Sequence, residues 1–196
     1  MFFCSCKKEE DFPVTLYANK ITHITPVRLY VGQTQITDSK IIDKFISNAS
    51  CFELPDDNSV AEATIHFYSK DSASFDIDPR GYSVQKDGNY ILFYSSFIPT
   101  GGLDIKYPLF KYISKYYQLS PNTGFSYMTK EVYVGYGSYT NLEICVLAYK
   151  ISRNAGRSYS RAWGTTSNVF NEEAINTLQY SDTLAIREHR VRFVSK

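Results

Sequence analysis

Arg153, Arg157 and Arg161 recur every fourth residue in RNAGRSYSRAWG (153–164), beside Tyr159 and Trp163. A guanidinium grips a carboxylate or phosphate through paired hydrogen bonds, and aromatic faces stack on sugars and other planes. A loop of this composition is a candidate rim site for an anionic glycan or a lipid headgroup. The plainer reading is a solvated loop whose Trp163, the single tryptophan of the chain, tucks back into the core. Three arginines do not make a groove-length basic stripe, so no nucleic-acid partner is expected.

The chain has only three histidines. In EATIHFYS, His66 shares one strand face with Glu62, Thr64 and Tyr68. If that face lines a cavity, Glu62 and His66 form an acid–base pair in which the carboxylate tunes the imidazole. The plainer reading is a solvated face. His189 lies among Arg187, Arg190 and Arg192, which reads as a basic edge or outer strand, and His23 reads as part of a loop. Tyr127, Glu131 and Tyr133 fall on one face of YMTKEVYVGYG, either packing across strands or lining a pocket.

Nucleophile and phosphate motifs are absent: there is no Gly-x-Ser-x-Gly, Walker loop or Gly-x-Gly-x-x-Gly. DIDPRG (76–81) offers Asp76 and Asp78 but lacks the other ligands of a calcium loop. No CxxC, Cys/His cluster or HExxH occurs, so neither a metal nor a cofactor is expected. Enzymatic activity is therefore the weaker expectation.

The chain opens MFFCSCKKEED. Cys6 follows a short apolar stretch and the small residue Ser5, and a charged run from Lys7 to Asp11 follows it. This segment resembles the lipobox and charged tether of exported lipoproteins of the Bacteroidetes type. The resemblance covers about the first 11 residues. It implies lipidation of Cys6, a leash over 1–12 and a lipid-anchored domain over 13–196, in the outer membrane or at the cell surface. An export signal carries an apolar stretch of roughly 7–15 residues, and only three residues precede Cys4, so this reading requires residues upstream. An envelope location permits a Cys51–Cys145 disulfide. The apolar run ICVLAY around Cys145 favours a buried thiol instead.

The remaining residues must build a body that positions these groups. The 196-residue length suits one domain, and 17 tyrosines with 13 phenylalanines favour strands. Net charge is +1, with no global pull toward polyanions. PVRLYVG, EATIHFYS, ASFDI, GYSVQ, NYILFYSSF, YMTKEVYVGYG, NLEICVLAYKIS and LAIREHRVRF read as strands. NLEICVLAYKIS is apolar on both faces, which predicts a strand covered on both sides and paired antiparallel with YMTKEVYVGYG. Asp87-Gly88 predicts a hairpin turn. Helices are expected in DSKIIDKFISNAS, capped by Asp38 or Ser39, in YPLFKYISKYYQL (107–119), and, as a short third helix, in NEEAINTLQ, capped by Asn171.

This pattern predicts a mainly β fold: a single antiparallel β-barrel, or else a β-sandwich, with two or three short helices. The meander from Ala63 to Ser96 resembles lipocalin-like barrels, although the Gly-x-Trp signature of many lipocalins is missing. The leading functional expectation is a lipid-anchored envelope protein that binds a small amphipathic molecule or glycan without enzymatic activity. A structural or assembly subunit docking onto another envelope protein is the alternative. A hydrolase using His66 and a carboxylate is the third.

Overall fold

The computed structural model describes residues 11–55, 60, 62–76, 78–96, 98–100, 109–113, 117–118, 127–155 and 158–196. Side chains at 79, 98–100, 117–118, 127–129, 154–155 and 158–160 are outside that description. The strands are β1 (Val14–Thr22), β2 (Arg28–Val31), β3 (Thr34–Ile36), β4 (Thr64–Ser69), β5 (Ser72–Phe75), β6 (Asp78–Asp87) and β7 (Tyr90–Tyr94). They continue with β8 (Ile98–Thr100), β9 (Tyr117–Gln118), β10 (Tyr127–Thr129), β11 (Val132–Gly137), β12 (Asn141–Ala155), β13 (Ser158–Thr166) and β14 (Thr183–Val194). Helix α1 spans Ser39–Ile46, and 3-10 turns span Ser50–Phe52 and Glu172–Thr177.

Eight strands close into an antiparallel barrel in which spatial order follows chain order: β1, β4, β5, β6, β7, β11, β12, β14 and back to β1. Alternation is the cause. Ile65 and Phe67 of β4 point inward while Thr64, His66 and Tyr68 point out, and each neighbouring strand repeats the pattern. The interior is filled by side chains. Phe67 lies edge-on to Tyr139 at 5.1 Å, and Phe75 contacts Tyr82 and Phe93 at 5.1 Å each. Edge-to-face pairs add about 0.5–1.5 kcal/mol each beyond the area they bury. Phe12 packs edge-on to Tyr139 at 5.3 Å, so the chain joins the barrel core as soon as the charged N-terminal run ends.

The two longest barrel strands run on beyond the barrel. β12 pairs with β11 near its start and with β13 from Leu147 onward, while β14 pairs with β1 over Arg190–Val194 and with β2 over Thr183–Ile186. Their extensions form a second sheet, in the order β13-β12-β14-β2-β3. Both of its faces are covered, as the two-sided apolar pattern of NLEICVLAYKIS requires. On one face Leu29, Ala148 and Ala185 meet Ala49, Phe52 and the apolar side of α1. On the other, Leu147, Ile151, Leu184 and Ile186 meet Phe170, Ala174 and Leu178. Asp38 caps α1 by accepting from the Lys40 and Ile41 amides. Asn171 caps the second 3-10 turn through the Glu173 amide, and Gly88 turns the β6–β7 hairpin at φ 58°.

Three expectations change. The 107–119 helix falls partly outside the described residues, and the described parts are not helical. Phe110 bridges Phe170, and Tyr117–Gln118 is strand. Backbone bonds to the 168–171 segment hold this stretch, with the Lys111 amide donating to Val169 at 2.9 Å. YMTKEVYVGYG divides at Lys130-Glu131 into β10 and β11, which belong to different sheets, so Tyr127, Glu131 and Tyr133 do not share a face. Tyr133 enters the barrel core, 5.5 Å from Phe75. LAIREHRVRF is not an edge strand: β14 is paired on both sides, and His189 is 4% exposed. Among the described residues, no helix is long and apolar enough to cross a membrane.

Candidate functional site

The 153–164 segment is a hairpin, not a loop. β12 continues through Ala155 and returns as β13, with Arg153 opposite Ser160, Ser152 opposite Arg161 and Lys150 opposite Trp163. Strand geometry therefore undoes the four-residue spacing of the arginines. Arg153 falls on the opposite sheet face from Arg161, and Arg157 lies outside the described residues. Tyr159 stands opposite Asn154, with its side chain outside the description. What remains together is Arg161 and Trp163, two residues apart on one face of β13. That strand is an edge of the large sheet, and Trp163 is 54% exposed instead of tucked into the core. Lys150, beside them on β12, donates from Nζ to the Phe45 carbonyl at 2.5 Å, which fastens α1 to the same face.

His66 does meet a carboxylate, but the partner is Asp76. His66 Nε2 lies 2.9 Å from Asp76 Oδ1, and Nδ1 lies 3.1 Å from Thr15 Oγ1. The Thr64 hydroxyl donates to the other Asp76 oxygen. These bonds, from Thr64 first and then His66, hold the Asp76 carboxyl below the usual carboxylate range. Glu62 is exposed in the turn before β4. Asp76 enters the group because the β4–β5 hairpin folds back on itself, with the Asp76 amide donating to the Thr64 carbonyl. The pair stands on the outer barrel wall, His66 35% and Asp76 53% exposed. Acid–base work gains most where closure excludes water, and this wall is open to it.

Asp78 is engaged by neighbours on its own strand. It accepts from Arg80 Nε at 2.8 Å and from the Tyr82 hydroxyl, and Arg80 reaches on to Glu131 at 2.9 Å. Arg80 first, and Tyr82 next, hold the Asp78 carboxyl well below the carboxylate range. Among the described residues no group of three or more His, Cys, Asp or Glu is placed to hold a metal ion.

Sequence reading missed a cleft of about 390 Å³ between β14, the 23–25 segment and the 168–169 segment. It opens where β14 changes neighbours, after β1 departs at Arg190 and before β2 joins at Ile186. Tyr90, Cys145, Asn168, Glu188, His189 and Arg190 are among its walls. Its size falls at the small end of ligand pockets, about 300–1,000 Å³. Most of its polar groups are engaged. Glu188 accepts from the Phe170 amide at 3.2 Å and from Arg28 at 3.4 Å. Arg190 donates to Glu143 at 3.0 Å and lies 4.6 Å over the Tyr136 ring. Asn168 exchanges bonds with the Tyr112 backbone. Burial pushes the Cys145 thiol up to about 11, so it stays protonated at neutral pH. Cys51 is also a free thiol, packed against the α1 cluster and donating to the Tyr149 carbonyl at 3.7 Å. Cys145 faces the other side of β12, so the two sulfurs are divided by the sheet.

The fold defines a class: an eight-stranded up-and-down antiparallel barrel, compatible with the lipocalin-like type, whose β12 and β14 also build a second sheet packed on both faces of those two strands. No protein-family model matches the chain, and no curated protein and no solved structure matches it.

Proposed function

We propose that this chain is a lipid-anchored envelope protein, tethered through Cys6, that binds a glycan or small amphipathic molecule without transforming it. The observation that carries the binding reading is the exposed Trp163 beside Arg161 on an edge strand. An indole and a guanidinium on one strand face offer a stacking plane and a hydrogen-bonding fork. Pairing along β12 gives that face a rigid backing, which lowers the entropy a ligand must remove on binding. Barrel closure around packed aromatic rings leaves the outer faces as the surfaces available to such a ligand.

Trp163 is the only tryptophan, so its emission is a built-in reporter. Titrating candidate glycans and amphipaths into the protein should give a saturable emission change with at least one of them. Arg161→Ala should then weaken that ligand about tenfold or more, the loss of roughly 1.4 kcal/mol. A ligand that binds by calorimetry yet leaves both the emission and the Arg161→Ala affinity unchanged places the binding surface elsewhere.

The anchor rests on the MFFCSCKKEED resemblance. Expressed behind a complete export signal, the wild type should fractionate with membranes. Cys6→Ala should move to the soluble envelope fraction, because several buried acyl chains are what make attachment lasting. Equal membrane fractions for the two proteins would remove the anchor from this reading.

A further inference from the structure

The described arginines differ in how they are paired. Arg28 meets Glu172 and Glu188, Arg80 meets Asp78 and Glu131, and Arg190 meets Glu143. Arg187 has no such partner among the described residues, although its Nε and Nη2 are both buried. These two nitrogens share one edge of the guanidinium plane, the edge that binds a carboxylate or phosphate side-on. Two residues along the same face of β14, His189 is 4% exposed with a buried Nδ1 that also lacks a hydrogen-bond partner. Opposite them on β12 stand Ala148 and Val146, which offer neither charge nor hydrogen bond from their side chains.

Leaving such donors buried and unpaired is costly in either protonation state. Burial lowers the affinity of Arg187 for its proton, and burial followed by the Arg187 charge does the same for His189. Of the other cations on this face, Lys150 is committed to the Phe45 carbonyl, and Arg161 stands on β13 with β12 between it and Arg187. Beside Arg187 lies the half-buried Cys51, whose own proton is held more tightly through burial. The neighbourhood is thus rich in donors and, among the described residues, supplies no carboxylate to meet them.

We propose that Arg187 and His189 form a buried seat for one oxyanion group, a carboxylate or a phosphate, held side-on by the guanidinium edge and supported by the imidazole Nδ1–H. Arg187 is only partly buried, which gives the seat a route to solvent. The apolar cluster around Leu29, Phe52 and Ala185 adjoins it, so a small acid with an apolar body suits the surroundings. The seat lies on the same sheet face as Trp163, with β12 between them, and uses neither Trp163 nor Arg161.

The test is thermal unfolding of the whole domain at constant ionic strength, with chloride as the reference salt. The added probes are inorganic phosphate, acetate and octanoate. At least one oxyanion should raise Tm saturably above the chloride reference, and the strongest arm separates phosphate from carboxylate chemistry. Arg187→Lys keeps the charge but loses the two-pronged edge, so the midpoint of that response should rise at least tenfold. Arg187→Met should abolish the response and raise Tm in chloride, because it removes the unpaired fork. Trp163→Ala should keep the response, which separates failure of this seat from failure of the rim reading. If Arg187→Met does not fold, Arg187→Lys together with His189→Gln decides the matter by equilibrium dialysis with labelled phosphate and labelled acetate. No oxyanion effect on the wild type, or an unchanged response in Arg187→Lys, overturns the seat.

Discussion

Phe67→Ala should destabilise the folded protein by about 3–5 kcal/mol. Phe67 is fully buried at the centre of the barrel, 5.6 Å from the Phe93 ring and 5.1 Å from that of Tyr139. Paired strands wall the cavity on every side, so the neighbours relax only partly and most of the cavity cost remains. A domain of ordinary stability holds about 5–15 kcal/mol in total, so the change removes a large share of it. Urea unfolding reads this as a lowered midpoint at unchanged slope. Tyr68, the next residue, points outward and hydrogen-bonds Ser74 at 2.9 Å. Tyr68→Ala is the matched control, expected to cost about 1 kcal/mol or less. Equal losses at the two positions would contradict the inward–outward assignment of β4.

Gly137→Ala should be damaging for a different reason. Gly137 sits in the β11–β12 turn at φ +126°, and an added Cβ would lie 2.4 Å from the Asn141 carbonyl oxygen. Its amide also donates to the Asn89 carbonyl at 2.8 Å, which ties this turn to the β6–β7 turn. An alanine can relieve the contact only by shifting backbone on both sides of the turn. The expected cost is about 3 kcal/mol or more, at the upper end for a strained backbone position. Gly81→Ala is the comparison. Nothing lies within 4 Å of its added Cβ and its φ is not in the left-handed range. There the loss of unfolded-chain entropy should leave stability unchanged or raise it by about 0.4–1 kcal/mol. Similar unfolding midpoints for the two variants would argue against this turn geometry.

Local patterns carried much of the fold. Asp87-Gly88 marks its hairpin because only a residue tolerant of positive φ turns there. Leu142, Ile144, Cys145 and Leu147 announce a strand buried on both faces because each side of β12 meets a different cluster. Asp38 signals the start of α1 because its carboxylate has two free amides to accept from. The 107–119 segment misled for a physical reason: its polar residues recur at helical spacing, yet the backbone at Leu109 and Lys111 finds partners in 168–171. β14 misled through its arginines. Arg190 and Arg192 leave the barrel on one face to meet Glu143 and Asn141, while His189 points the other way into the interior. Charge along a strand alone does not separate an edge from a buried strand with one polar face.

The site was less legible. The Arg153, Arg157, Arg161 spacing suggested one cluster, but a hairpin turn between them scatters a four-residue repeat. Among the described side chains of that segment, Trp163 and Arg161 stay together, and the exposure of Trp163 depends on β13 being an edge. The partner of His66 arises from a hairpin register that one strand's alternation does not encode. The cleft and the Arg187–His189 face both form where β14 passes from one neighbour to another, a property of three segments far apart in sequence.

Closure of the barrel underlies every one of these placements, and Val191 tests it. Its backbone lies opposite Ile21 of β1 on one side and Ile144 of β12 on the other. In a residue-resolved NMR spectrum Val191 should show cross-strand contacts to both Ile21 and Ile144. Contacts to one of them alone, with the other strand's amides exchanging as a free edge, would mean an open sheet and would contradict the barrel.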